Sequence, residues 1–326
     1  MAKLSIVFHG RNASTFHDGF EDLLDNKHSI TILPDVLSDA EMQSSYEDAD
    51  VIIGTANSAE LPFPKKLRLF QVAGAGSDGV DPSCLPKGAT VCNCYGHDQP
   101  ISEYVMATIL NTRIPIIDAN ARLRQGDWAY QSGRSLHGEI SGSVIGLVGY
   151  GHISQTIAKC AKVFGMKIYV CNRSPVPCGD LVDHYFPIDD LLGFLSDVDF
   201  VVSALPLTDQ TSGLLNKEAF EAMKSTAFFC NVGRGPVVDE KALYEALKRG
   251  KIANAAIDTW YVYPSADNDS PQPSRYAFNE LTNLVMTPHM SGWTQGTIDR
   301  RRQAMAENIN RLATGAQLEN VVNEGG

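Results

Sequence analysis

The chain is predicted to be α/β, with two Rossmann-like domains built on parallel sheets, one inserted into the other. Three observations lead there. Its 326 residues exceed the usual single-domain range. Short apolar segments alternate with amphipathic ones throughout, the pattern of parallel strands covered by helices. The run Val144 to Ser154, Val-Ile-Gly-Leu-Val-Gly-Tyr-Gly-His-Ile-Ser, reads as a buried strand, a tight glycine turn and a helix start.

In chain order, a first series of strands is predicted at Ser5 to His9, Ile30 to Leu33, Val51 to Gly54, Leu67 to Val72 and Thr90 to Asn93. The run from Ile101 to Gln125 is apolar at helical spacing, with Pro115 expected to kink or interrupt it. A second series follows at Val144, Lys167 to Cys171, Phe200 to Ala204, Ala227 to Val232, Ala253 to Asp258 and Leu284 to Thr287. The last helix, Thr297 to Ala313, places Ile298, Met305, Ile309 and Leu312 on roughly one face, and Gly315 fits its stop. Coming after the second series has closed, it is expected to return to the first. The domains are therefore drawn as 1–100 with 292–326, discontinuous, and an inserted 101–291.

Composition narrows the function classes. Hydrophobic residues make up 44% and charged residues 20%, and the formal net charge of -11 argues against a nucleic-acid or membrane surface, which needs clustered Lys and Arg. Seven cysteines form no CxxC pair and no Cys/His group at zinc spacing, so no metal site is expected and the thiols fit a reducing compartment. No basic, apolar and small-residue export pattern opens the chain, and no apolar run nears the roughly 20 residues that span a bilayer. A cytoplasmic protein is the expectation.

The strand, the Gly149-Tyr150-Gly151 turn and the helix start put backbone N–H groups where a pyrophosphate can sit, although Ser154 replaces the third glycine. The next strand ends where a ribose-reading residue belongs, about twenty residues after the first glycine. Asn172, Arg173 and Ser174 stand there with no carboxylate. A carboxylate would repel a 2′-phosphate and a guanidinium pairs with one, so NADPH is favoured, with NADH possible. Arg173 read alone is also compatible with a solvated surface charge.

Arg234, between Gly233 and Gly235, follows an apolar strand and so lies at the sheet edge where ligands bind. Its planar fork suits a carboxylate. Asp258 also ends a strand, where an Asp often serves as a turn or helix cap. His289, in Thr287-Pro288-His289-Met290-Ser291-Gly292, ends the last strand and has the proton affinity for acid–base work.

Taken together these segments resemble the D-isomer-specific 2-hydroxyacid dehydrogenase family over nearly the whole chain. The resemblance rests on Gly74-Ala75-Gly76-Ser77-Asp78-Gly79-Val80-Asp81, Gly149 to Ser154, Leu205-Pro206-Leu207-Thr208, Asn231 to Gly235, Asp258 and Thr287-Pro288-His289. It implies a discontinuous two-domain enzyme, with a 2-ketoacid or 2-hydroxyacid and the nicotinamide in the interdomain cleft and a homodimer formed through the dinucleotide domain. It implies that Arg234 binds the carboxylate and polarises the carbonyl, and that His289 donates or removes the proton. Backbone N–H groups near Ala75, Gly76 and Ser77, with Ser291, complete the substrate site. The cofactor would be held by Gly149, Tyr150, Gly151, His152, Ile153, Asn172, Arg173, Ser174, Leu205, Pro206, Thr211, Val232, Asp258 and His289, with Asp258 orienting the carboxamide.

One position departs from that family. A Glu usually stands five residues after the strand-end Asp, where it pairs with the catalytic His; here it is Tyr263. Formate dehydrogenases of the superfamily also lack the Glu and share a His-x-Ser-Gly sequence, and their reaction needs no proton removal. The ten-residue spacing of Asn93 and Glu103 is closer to the hydroxyacid branch. The expected activity is thus hydride transfer between NAD(P)H and a small 2-ketoacid. The alternatives are formate-like hydride abstraction and a nucleotide-sensing, non-enzymatic protein resembling the C-terminal-binding corepressors. Ser265 to Tyr276 reads as a loop, and Trp128, Trp260 and Trp293 as core or interface residues, with Trp293 also a candidate for the substrate pocket.

Overall fold

The computed structural model describes residues 3–265 and 268–324. The chain divides into two compact units, 1–96 with 294–326 and 97–293. Residues 266 and 267 of the expected Ser265 to Tyr276 loop lie outside the described residues, as do the two residues at each end. The first unit supplies β1 (Ser5–His9), β2 (Ser29–Leu33), β3 (Val51–Gly54), β4 (Leu69–Val72) and β5 (Thr90–Cys92). The second supplies β6 (Val144–Val148), β7 (Lys167–Asn172), β8 (His184–Pro187), β9 (Phe200–Ser203), β10 (Phe228–Asn231), β11 (Asn254–Ile257) and β12 (Leu284–Met286). The chain then re-enters the first unit through the Gln295–Thr314 helix and ends in β13 (Val321–Glu324).

In the first unit the strand order is β13-β5-β4-β3-β1-β2. Strand residues alternate between two cores. Ile6, Phe8, Val51, Ile53 and Leu69 pack with Phe16, Phe20, Ile298, Met305 and Ile309. Val7, Ile52, Phe70 and Val72 pack with Leu33, Tyr46 and Leu67 on the other face. Each such side chain contributes about 1.5–3 kcal/mol by leaving water. The Gln295–Thr314 helix is capped by Thr294, whose hydroxyl accepts from Thr297 N–H, and ends on Gly315 at φ 74°.

In the second unit all seven strands are parallel, in the order β12-β11-β10-β9-β6-β7-β8. The order reverses beside β6, which makes the β6/β9 edge a topological switch point and hence a ligand crevice. Helices separate at Pro115 into Asp98–Arg113 and Ile116–Leu123. Ile114 is extended there, as the residue before a proline tends to be.

Two strands correct the element list drawn from sequence. β8 pairs with β7 at the end of its sheet, and β13 lies antiparallel to β5, so the first sheet is not wholly parallel. Both are short edge strands with weak apolar alternation, and an antiparallel edge needs only a turn after the preceding helix.

Candidate active site

Parallel register brings the expected second-unit residues to one sheet edge. Val148 pairs with Cys171 and Ser203, Asn231 with Ser203 and Ile257, and Ile257 with Met286. Gly149, Asn172, Leu205, Val232, Arg234, Asp258 and His289 therefore all lie at or just beyond the carboxyl ends of aligned strands.

On the β6 side, Gly149 takes φ 86°, and a Cβ there would lie 2.6 Å from a methyl of Leu205. The His152–Val163 helix begins at Gly151 without a side-chain cap. Backbone N–H groups at such a helix start can meet a ligand anion. Tyr150 and Ile153 pack against the core, and Ser154 is buried with its hydroxyl unpartnered among the described residues. At the end of β7, Asn172 Nδ2 donates to Ser174 O at 2.9 Å, while Arg173 and Ser174 are exposed. Thr211 closes the loop after β9 by donating to Pro206 O at 2.7 Å and accepting from Thr208 N–H at 2.8 Å.

Arg234 is positioned by its neighbours. Asn231, buried at the end of β10, accepts from Gly233 N–H at 3.2 Å and donates to Arg234 O at 3.1 Å. A Cβ on Gly233 would lie 2.5 Å from Leu205 O, and one on Gly235 would strike Trp260 O. The two glycines let neighbouring backbones close around Arg234, whose Nη1 donates to Gly233 O at 3.1 Å.

His289 has φ 56°, a left-handed conformation that a non-glycine residue adopts only when its surroundings hold it. Asp258, fully buried, supplies that hold. Its Oδ1 accepts from Met290 N–H at 2.9 Å and Thr287 Oγ1 at 2.6 Å, and its Oδ2 accepts from Ser291 N–H at 3.0 Å. A carboxylate offers about four acceptor positions, and among the described residues these donors take three. Because Thr287 spends its proton on Asp258, Tyr104 must donate the 2.8 Å hydrogen bond between their hydroxyls. Burial pushes the Tyr104 phenol up, which keeps that proton in place.

Tyr263 meets the catalytic candidate directly. Its hydroxyl lies 3.0 Å from His289 Nδ1 and accepts from Trp260 N–H at 3.0 Å. Trp260 is buried, and its Nε1 donates to Thr287 O at 2.8 Å. The segment after Tyr263 is fastened at its far end. Glu240 accepts from Ser274 Oγ, Arg275 N–H and Arg275 Nε at 2.7, 2.9 and 3.0 Å. Burial alone would raise the Glu240 carboxyl, but these donors hold it below its usual range. Trp128 and Trp293 are both exposed.

Ala75, Gly76 and Ser77 belong to the other unit, in the loop after β4. Asn93 Nδ2 donates to Ala75 O at 2.7 Å and Cys94 N–H to Gly74 O at 3.0 Å. The positioning roles of Asn231, Trp260, Thr287, Tyr104 and Glu240 were not drawn from the sequence. Only Asn231 and Thr287 carried a signal, as neighbours of Arg234 and His289.

Known proteins resemble the chain in sequence and in fold. The family profile described as D-isomer specific 2-hydroxyacid dehydrogenase, NAD binding domain, matches residues 106–291. The hydroxypyruvate reductase of Thermotoga maritima is 31% identical over 297 residues, covering 89% of this chain and 92% of that one. The D-3-phosphoglycerate dehydrogenase of Methanocaldococcus jannaschii is 31% identical over 298 residues, covering 88% of this chain but only 54% of that longer protein. Among solved structures, a D-isomer specific 2-hydroxyacid dehydrogenase family protein from Aeromonas salmonicida subsp. salmonicida shares the fold at TM-score 0.83 and 24% identity, with 99% of each chain covered.

Proposed function

The chain belongs to the D-isomer-specific 2-hydroxyacid dehydrogenase family, and we propose that it reduces a small 2-ketoacid, glyoxylate, hydroxypyruvate or a relative, with NADPH as the preferred cofactor. The observation that carries this reading is His289, held at φ 56° by Asp258 on the sheet edge that also presents Arg234. A 2-ketoacid needs both a cation for its carboxylate and a proton for its carbonyl oxygen.

The second unit fits a dinucleotide. Gly149 opens the turn, the helix starts on Gly151, which has no side chain to cap it, and exposed Arg173 and Ser174 stand where a 2′-phosphate would be met. Leu205, Pro206, Thr211 and Val232 would line the nicotinamide side, and the remaining acceptor position of Asp258 would take the carboxamide. When bound, the cofactor supplies the hydride. Arg234 then fixes the carboxylate through its fork and draws electron density from the carbonyl. His289 delivers its proton to the oxygen as the carbonyl is reduced and takes it back in the reverse direction. Tyr263 keeps the ring oriented at Nδ1 and brings no negative charge. The N–H groups of Ala75, Gly76 and Ser77 are donors of the kind a substrate carboxylate uses, and Ser291 adds a hydroxyl.

A homodimer belongs to the same proposal, formed through the dinucleotide unit. Ile116, Ile117, Leu123, Trp128 and Leu136 are exposed within one short stretch of it, an apolar surface of the kind a second copy covers. Sedimentation at micromolar concentration is expected to give twice the chain mass; a monomer would remove this part.

The functional test is turnover by the purified protein of a panel of 2-ketoacids with NADPH and NADH, alongside formate with NAD. Reduction of a 2-ketoacid supports the proposal. NAD reduction by formate alone would point to formate-like hydride abstraction, and turnover of neither to a nucleotide-sensing protein.

A further inference from the structure

After β11 the chain runs out through Trp260 to Tyr263 and comes back at Pro273. Val262 and Tyr263 are 39% and 44% exposed, so packing alone does not fix the tip of the outgoing limb. The Tyr263 hydroxyl meets Trp260 N–H and His289 Nδ1, and neither contact involves a carboxylate. Charge-assisted hydrogen bonds are roughly twice as strong as neutral ones. A carboxylate at this position would help draw its own limb to the ring, whereas a phenol depends more on a limb already held in place.

The hold comes from the returning limb. Tyr261 N–H and Val262 N–H both donate to Pro273 O, at 3.3 and 3.1 Å, which joins the two limbs. The residues that follow Pro273 are gripped by Glu240. Its Oε1 accepts from Ser274 Oγ and Arg275 N–H, and its Oε2 meets Arg275 Nε and Nη2 at 3.0 and 2.9 Å. These donors fill the roughly four acceptor positions that a carboxylate offers. Glu240 itself stands on a fixed base. It is buried and opens the Glu240–Lys248 helix, which Asp239 caps by accepting Ala242 N–H at 2.7 Å. On the same helix face, Tyr244 stacks on Tyr276 with ring centroids 5.2 Å apart and meets Phe278 edge-on, and Phe278 meets the Trp260 ring edge-on. One face of the helix thus holds the returning limb by a charge and by a ring.

We propose that Glu240 is a positioning residue for the Tyr263–His289 pair: by clamping Ser274 and Arg275 it fixes Pro273, and through Pro273 the limb that brings the phenol to His289 Nδ1. The proposal rests on the ketoacid-reductase reading above and deepens it, because the charge that keeps the histidine's partner in place then sits on a helix instead of on the partner itself. The plainer alternative is that Glu240 fastens a surface loop, with no consequence for the ring.

The two differ in what happens at His289 when the clamp is weakened. The test is the nitrogen NMR resonance of His289 Nδ1 at one fixed pH, with the melting temperature and kcat for ketoacid reduction measured on the same proteins: native, Glu240→Gln, Arg275→Gln, Arg275→Lys, Tyr263→Phe and the double variant Glu240→Gln/Tyr263→Phe. Tyr263→Phe is expected to displace the resonance, and Glu240→Gln to move it more than halfway to the same position. Arg275→Lys keeps the charge and is expected to stay close to native. Glu240→Gln is expected to lower kcat about tenfold in the native background and less than about twofold in Tyr263→Phe, where the phenol's contribution is already gone. A lowered melting temperature with a native Nδ1 resonance in Glu240→Gln, or equal losses of kcat in both backgrounds, would overturn the proposal. So would an Nδ1 resonance that Tyr263→Phe leaves unmoved. Should Glu240→Gln fail to fold, Arg275→Gln decides by the same resonance, since it leaves the buried carboxylate the Ser274 hydroxyl and the Arg275 N–H: displacement toward the Tyr263→Phe position supports the clamp, and a native resonance overturns it. If the native protein turns over no ketoacid, the functional reading fails by itself, and the resonance still decides whether Glu240 positions the pair.

Discussion

The Tyr263 hydroxyl lies 3.0 Å from His289 Nδ1 while accepting the Trp260 N–H. A phenol in this place serves both states of the ring. It donates to Nδ1 when the imidazole is neutral and accepts from Nδ1–H when it is protonated. It does not attract the second proton as a carboxylate would. In Tyr263→Glu the carboxylate is expected to favour the imidazolium, extending ketoacid reduction by about one to two pH units toward alkaline pH. The pH dependence of kcat/KM in native protein, Tyr263→Glu and Tyr263→Phe measures this; coincident profiles for native and Tyr263→Glu would leave the phenol with no part in the proton's energetics.

Thr287 joins Tyr104 to Asp258, and through Asp258 it helps hold Met290 and Ser291 around His289. Thr287→Val removes one charged hydrogen bond and strands the Tyr104 proton, at an expected cost of about 1.5–3 kcal/mol. Thr287→Ser keeps the hydroxyl and is expected to stay near native. Urea unfolding of the two variants distinguishes them, and equal losses would mean that the methyl matters rather than the hydroxyl.

Arg173 is exposed at the end of β7, where a 2′-phosphate would be met. Arg173→Ala is expected to raise the KM for NADPH at least tenfold while changing that for NADH by less than threefold. A native preference for NADH in the same titrations would refute the cofactor assignment.

His28 is buried and accepts Leu4 N–H at Nδ1, 3.2 Å away. Burial pushes its pKa below 6.5, outweighing the pull of Asp50. The unfolded chain therefore holds the extra proton between the folded pKa and 6.5. Stability is expected to fall as pH drops through that window, by up to about 1.4 kcal/mol per pH unit. His28→Gln retains an acceptor and removes the titration. Unfolding free energies at pH 7.5 and 5.5 should show a larger loss in the native protein than in the variant; parallel losses would assign the acid sensitivity to other groups, His9 among them.

What the sequence made legible follows distance along the chain. Gly149-Tyr150-Gly151 reads as strand, turn and helix because all three lie within a few residues. Arg234 and His289 could be placed at a strand's carboxyl end by the apolar runs before them. Tyr263 stood out only against the family pattern, and its contact with His289 joins residues 26 apart. The Tyr104–Thr287 hydrogen bond joins residues 183 apart, and Arg301 reaches Ala73 across 228, distances at which local periodicity says nothing. β8 and β13 were missed for a related reason, since an edge strand is defined by the neighbour it finds more than by its own apolar pattern.

The central claim, hydride delivery to a carbonyl whose neighbouring carboxylate is held by Arg234, is tested most directly by comparing kcat/KM for the preferred 2-ketoacid and for its amide, with NADPH at saturation. Loss of one charged hydrogen-bonding partner costs about 1.5–3 kcal/mol, so the amide is expected to be roughly 10- to 150-fold poorer. Equal kcat/KM for acid and amide would contradict the account.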